Sequence, residues 1–207
     1  MDATTPGRRY GGVSAEERRR ERRERLLTAG LDLLGTRGYA QTTVSDVLER
    51  AGLTSRYFYE HFENREALLK AVYDEVVTRG YGASARALQR HDGDPLTVSV
   101  PAQLEAFYEV VVDDPRLARI LFIEAVGVSP TMETHRRAVM RRIAAALSAR
   151  LAMRAGRGEI PERDFYAITI GMLGAMHELI ADHLHPGGIS RDGALRESER
   201  LALATLR

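Results

Sequence analysis

Apolar positions recur along this chain at spacings of three and four residues, and strand-like alternation bounded by turns is missing, so the pattern predicts an all-α fold. The first helix opens at Ser14, where Glu17 three residues on completes a capping box and Glu16 adds a second acid to the first turn. Its apolar face is Leu26, Leu27, Leu31 and Leu34, and Gly38 ends it. Two short helices follow. Thr43 caps one carrying Val44, Val47, Leu48 and Ala51, which stops at Gly52; Thr54 caps the next, with Tyr57, Phe58, Tyr59 and Phe62. Asn64 then caps a longer helix through Leu68, Leu69, Val72, Val76 and Val77, expected to end near Gly80 or Gly82 unless it runs on towards Leu88.

The polar stretch His91-Asp92-Gly93-Asp94-Pro95 is the clearest internal break. Beyond it, helices are expected to open at Pro101, at Asp114-Pro115, at Ser129-Pro130 and at Ile160-Pro161, the last running to Leu184, with a final helix over about 190–206. The helix from Ser129 puts Met140, Ile143, Ala144, Leu147 and Leu151 on one face and leaves Arg136, Arg137, Arg141, Arg142 and Arg150 mostly off it. The chain thus divides into an arm at 1–13, rich in Gly and Arg and expected to be disordered, an N-terminal unit at 14–80 and a helical body at 81–207.

Composition narrows the function classes more than it selects one. Cysteine is absent, which removes disulfides and Cys-ligated metal sites. The N-terminus is Arg-rich where a secretory signal needs an apolar run, and no uninterrupted apolar stretch is long enough to span a bilayer, so a cytoplasmic protein is expected. The formal net charge of +1 divides into +2 over residues 1–65 and −1 over the rest, too small an asymmetry to announce nucleic-acid binding. The arginine run at 18–25 is interleaved with Glu21 and Glu24, as on a solvated helix face.

The chemistry is concentrated between Thr42 and Leu69. Two helices of about two turns each are too short to stand alone and need the first helix to pack on. Gly52 supplies the positive φ of a tight turn between them, as in a helix-turn-helix. The second helix of such a motif offers its N-terminal side chains to the major groove, here Ser55, Arg56, Tyr57 and Glu60, with Arg56 suited to guanine or phosphate. Phe58 and Phe62 lock that helix to the core, while Tyr59, His61, Thr43 and Arg65 are placed to meet phosphates.

This stretch closely resembles the DNA-binding signature of the TetR family of bacterial repressors over about residues 15–75: Thr-Val, Ala-Gly-Leu-Thr, Phe-Tyr-x-His-Phe and Arg-Glu-Ala-Leu-Leu stand in register. The resemblance implies that Thr43, Tyr59, His61 and Arg65 contact phosphates and that Thr54 caps the recognition helix. Two positions depart from the usual pattern: Tyr57 stands where a small Thr or Ser is common, and Arg65 where Lys is. The resemblance also implies an all-α regulatory body with an internal ligand cavity, and a dimer interface made by the last two long helices.

The residues themselves support such a body. Phe165, Tyr166, Ile168, Ile170, Met172, Leu173, Met176, Leu179 and Ile180 point nearly all round their helix, so one face meets the core and another needs a partner chain. Gly171, Gly174 and Ala175 within it suggest close helix approach, to a partner or to a neighbouring helix. Leu104, Phe107, Tyr108, Phe122, Met140, Met172 and Met176 are candidate cavity residues, with Tyr108, Glu124 and His177 as its polar groups. With no Arg or Lys placed on the inner faces, a hydrophobic or aromatic small molecule is the expected ligand, and no cofactor or metal is expected.

The function that follows is a ligand-responsive transcriptional regulator, a repressor that binds a palindromic operator as a homodimer. A helical enzyme and a DNA-binding protein without a ligand are the alternatives. His177, Glu178, Asp182, His183 and His185 cluster late in the chain but lack metal-protease spacing, and neither a phosphate loop nor a nucleophile elbow occurs.

Overall fold

Polar side chains at the helix starts fix the element order. In the computed structural model, which describes residues 14–206, the side chains of Ser14, Thr43, Asn64, Asp114, Ser129, Asp164 and Ser190 each accept from a backbone N–H two or three residues on. Each satisfies donors that a helix start otherwise leaves open, worth about 1 kcal/mol apiece. The helices are α1 (Ala15–Thr36), α2 (Val44–Ala51), α3 (Ser55–Tyr59), α4 (Arg65–Arg90), α5 (Leu96–Val111), α6 (Pro115–Arg119), α7 (Pro130–Gly156), α8 (Phe165–His183) and α9 (Arg191–Thr205). A π-helical turn, Ile120–Glu124, continues α6. Strands are absent among the described residues, and the all-α expectation holds. The arm at 1–13 lies outside those residues.

Four local expectations change. α4 passes through Gly80 and Gly82 and ends only at Arg90, because Gly80 is a contact point and not a terminator. A Cβ there would meet the Val111 side chain and lie 2.9 Å from Phe107 Cε2, so the glycine lets α5 lie close against α4. Pro101 sits inside α5, whose start is set by Pro95 at the preceding turn. α8 begins at Phe165 under an Asp164 cap, leaving Ile160 buried and Pro161 exposed in the connection. Thr54 has the extended backbone of a cap (φ −93°, ψ 161°), yet its side chain makes no capping hydrogen bond.

α1 packs on α2, α4 and α6; α5 lies between α4 and α9; α8 bridges α7 and α9. One apolar cluster runs without a break from Leu26, Leu34, Val47, Phe58 and Leu68 to Phe107, Ile120, Phe122 and Ile180. A second, smaller cluster of Val100, Ala202 and Leu206, flanked by Leu96, Leu104, Leu151 and Met172, fills the far end of the body. No helix among the described residues is long and apolar enough to cross a membrane.

α1 and α6 are joined by charge as well as packing. Asp32 accepts from Arg50 of α2 (2.5 Å) and from Arg116 of α6 (2.5 Å), and Arg116 also pairs with Asp114 (2.8 Å). The Arg50 hydrogen bond holds the Asp32 carboxyl below its usual range, and Arg116 does the same to Asp114. Nearby, Glu124 accepts from Arg119 (2.7 Å) and from the Tyr39 backbone N–H (2.6 Å).

Two glycines of α4, two residues apart, test the packing argument. Gly80→Ala is expected to destabilise the fold by about 1–3 kcal/mol through overpacking against α5. Gly82→Ala, whose Cβ would meet only the tip of Arg86 at 3.4 Å, should stabilise it by up to about 1 kcal/mol. Urea denaturation of both variants checks the contrast; equal effects would remove the close-approach explanation.

Candidate functional site

α2 ends in a Schellman turn. The Gly52 residue takes φ 61°, and Leu53 N–H reaches back to the Leu48 carbonyl at 3.0 Å. Arg25 of α1 then covers the exposed end of α2, donating from Nε and Nη2 to the Ala51 carbonyl (3.0 and 2.6 Å) and from Nη2 to that of Gly52 (3.0 Å). Its neighbours continue this pattern. The Arg22 guanidinium lies 4.5 Å from the Tyr57 ring centroid, and that of Arg23 lies 5.5 Å from the Phe62 ring. Part of the arginine run at 18–25 therefore clamps α2 and α3 onto α1, where the sequence suggested a solvated face. The signal was their spacing of three from Arg22 to Arg25, but nothing in the sequence says what lies opposite.

With Phe58 fully buried and edge-on to Tyr59, the rest of α3 is turned outward. Thr54, Ser55, Arg56 and Tyr59 are exposed, Tyr59 by 61%. Among the described residues Arg56 pairs with Glu60, the C-cap of α3 (3.3 Å). Thr43 is also exposed, its hydroxyl donating to Asp46 Oδ2 at 2.6 Å while accepting the Asp46 N–H. Tyr57 is half-buried beneath Arg22, which gives its large ring a packing role in addition to any groove contact.

Two of the basic candidates are held differently from the others. Arg65 donates to the Thr42 carbonyl at 2.5 Å, and its guanidinium stacks 4.0 Å from the Tyr39 ring, so it ties the start of α4 to the loop before α2. His61 lies just past α3, half-buried, and its Nε2 has no hydrogen-bond partner among the described residues. Burial, and then the positive charges of Arg19, Arg22 and Arg23, push its pKa below the ordinary histidine value.

The body contains a cavity in two adjoining lobes of about 70 and 60 Å³, which share Gln103, Leu104, Leu147, Thr169, Met172 and Ala202 as walls. One lobe is closed by Leu88, Leu96, Ser99, Val100, Arg150, Leu151, Arg154 and Leu206. The other is closed by Tyr81, Ser84, Phe107, Leu173, Ala175, Met176, Ser198 and Leu201. It lies where the small apolar cluster meets the large one.

Residues 26–72 match the family of bacterial regulatory proteins called tetR. The helix-turn-helix segment is thus of the TetR type. Among its relatives, the helix-turn-helix transcriptional regulator EthR of Mycolicibacterium smegmatis is 27% identical over 77% of this chain and 70% of that protein. The regulator TtgR of Pseudomonas putida is 33% identical over 47% of each chain, so the likeness to it spans about half its length. The fold extends the likeness through the body. The fatty acid degradation regulator FadR of Bacillus halodurans superposes with a TM-score of 0.76 at 17% identity, over 89% of this chain and 99% of that one. FadR of Bacillus subtilis, solved in complex with stearoyl-CoA, gives 0.74 at 16% identity, over 88% and 97%. The matched segment and the regulators it resembles in sequence make this chain a helix-turn-helix transcriptional regulator.

In the body, Leu104, Phe107, Met172 and Met176 line the cavity, whereas Tyr108, Phe122, Met140 and His177 do not line either lobe. Tyr108 is fully buried with its hydroxyl 3.1 Å from Ser198 Oγ. Phe122 and His177 stack edge to face at 5.2 Å within the main core, and Met140 packs half-buried against that core. Glu124 serves the joint with α1 and not the cavity. Periodicity identified these side chains as inward-pointing but could not say which inward space was filled. It also missed Arg150 and Arg154, the latter only 2% exposed. The late acidic and histidine residues close the α8–α9 turn: Asp182 accepts from Ile189 N–H (2.8 Å), and His183 Nδ1 meets the Ile189 carbonyl (3.0 Å). Among the described residues, no three His, Asp or Glu side chains converge as a metal site.

The depressed pKa of His61 gives a pH test of this clamp. A folded value below the unfolded one means the unfolded chain takes up the proton first, so stability is lost as pH falls from about 6.5 towards the folded value. His177, also lowered by burial, adds to the same loss. Denaturation curves at pH 7.5 and 5.5 should differ less for His61→Asn than for the wild type. An unchanged pH dependence would place the imidazole in solvent.

Proposed function

We propose that this regulator is a ligand-responsive repressor that binds a palindromic DNA operator as a homodimer in the cytoplasm. The observation that carries the reading is α3, anchored by buried Phe58 while Ser55, Arg56 and Tyr59 face solvent. In this reading residues 14–80 form the DNA-binding unit and 81–207 the regulatory unit, with Ser55, Arg56 and Tyr57 at base edges and Thr43, Thr54, Tyr59, His61 and Arg65 along the phosphates. For Arg65 the contact is shared with the structural duty described above.

A second copy is the occupant we assign to the outer face of α7 and α8. Tyr166 (43% exposed), Ile170 and Met153 (57%) stand out beside Gly171 and Gly174, where an added Cβ would touch nothing within 4 Å. Close approach to a neighbouring helix of the same chain therefore does not explain these glycines. The exposed positions of α9, by contrast, include Asp192, Arg196 and Arg200. Operator binding then requires the two α3 helices of the dimer to lie about one DNA turn apart, roughly 34–36 Å.

The cavity is the proposed ligand site. At about 70 and 60 Å³ its lobes hold roughly two waters each. Ligand sites are usually several times larger, so a small apolar molecule must part the walls formed by α4, α5 and α7–α9. α4 reaches from the DNA-binding unit to those walls through Tyr81, Ser84 and Leu88, so a ligand favouring the parted state shifts the spacing of the recognition helices and weakens operator binding by its differential affinity.

Mobility shifts with the protein's own upstream DNA test this. Arg56→Ala and Tyr59→Ala should each weaken binding by roughly 1–3 kcal/mol, and Tyr59→Ala should also flatten the salt dependence. Wild-type affinity in both would refute the assigned face. For the dimer, Gly174→Arg should give a helical monomer with weak operator binding. Sedimentation of the wild type as a monomer at micromolar concentration would end the dimer proposal.

A further inference from the structure

The two lobes of the cavity differ in how their polar groups are satisfied. In the lobe towards Met176, Ser84 Oγ donates to the Gln103 carbonyl (3.1 Å) and Ser198 Oγ is paired with the Tyr108 hydroxyl (3.1 Å). Thr169, on the shared wall, donates to the Phe165 carbonyl (2.6 Å) and lies 3.2 Å from Ser148 Oγ. In the lobe towards Leu206, two polar atoms are buried without a hydrogen-bond partner among the described residues: Ser99 Oγ, on a residue 1% exposed, and Arg150 Nε. Leaving a buried donor unmade costs free energy, and an arginine Nε can only donate.

The charge arrangement has the same polarity. Arg150 uses Nη2 for the Leu88 carbonyl (3.0 Å) and Asp92 (2.7 Å), while Arg154, almost wholly buried, binds the Asp94 carbonyl (2.9 Å) and Glu159 (3.2 Å). Both counter-carboxylates are the more exposed members of their pairs, the Asp92 side chain at 65% and that of Glu159 at 33%. Water screens those acids more than it screens the two guanidinium groups, whose inner sides border an apolar space. An acceptor carrying negative charge suits this end; an ammonium or a bare hydrocarbon does not.

We propose that the cavity takes a slender apolar molecule ending in a single carboxylate, its oxygens accepting from Ser99 Oγ–H and Arg150 Nε–H and its chain lying past Met172 towards Met176. This rests on the cavity being the ligand site and specifies the class of ligand, amphipathic where the sequence pointed to a purely hydrophobic or aromatic one.

The probes are decanoate, methyl decanoate and decylammonium, kept below micellar concentrations and titrated calorimetrically into the full-length protein, with operator release read in parallel. Decanoate should bind at least about tenfold more tightly than its ester or the amine, as a charge-assisted hydrogen bond predicts. Ser99→Ala, which removes an unpartnered hydroxyl, should leave the melting temperature of the ligand-free protein unchanged or higher, yet shrink the acid-over-ester preference. Arg150→Lys, which keeps the charge but loses Nε–H, should shrink it too. Equal binding of acid and ester, or a preference untouched by both variants, would overturn the carboxylate assignment and leave the cavity reading standing. If no probe bound or released DNA, both the head-group assignment and the cavity reading would fall.

Discussion

The arrangement of the whole molecule depends on the contact between α4 and α5. α4 is 26 residues long, about 39 Å, and its first turns lie under α1 while its last turns wall the cavity. Gly80 sits where the helices come closest, with the Val111 and Phe107 side chains occupying the space a Cβ would need. Because α5 is seated there, its other residues meet α9, and α9 in turn meets α8. A larger residue at position 80 would have to displace Val111 and Phe107 of α5.

A second joint keeps the two regions from sliding. Gly35 of α1 lies against the backbone of Arg116, and Arg116 is held by Asp32 and Asp114. Glu124, in the π-helical turn after α6, ties Arg119 to the Tyr39 backbone. Such turns often accompany functional sites, and here the unusual winding lies at the seam between the α6 segment and α1. With two joints and one continuous core, the N-terminal helices and the body are connected by packed side chains and not by a flexible linker.

The helix-turn-helix was legible because its signals are local. Caps, the glycine turn and the Phe58–Phe62 pair act within a few residues, so Thr43 and Asn64 cap their helices and Gly52 makes the turn as expected. The cavity was only partly legible. Leu104, Phe107, Met172 and Met176 line it, but Phe122 and Met140, with the same apolar character, fill core elsewhere. The helical period tells which side of a helix faces inward, and a cavity is a failure of several inward faces to meet.

The helical class, most helix starts and the helix-turn-helix motif follow from interactions between residues close in the chain, and so could be read from their order alone. The roles of the arginines came from packing instead. Arg25 caps α2 from 26 positions away, Arg116 bolts α6 to α1, and Arg154 is buried at the cavity's polar end. A long flexible side chain carries its charge far from its own helix face, and its partner is chosen by packing between elements distant in sequence.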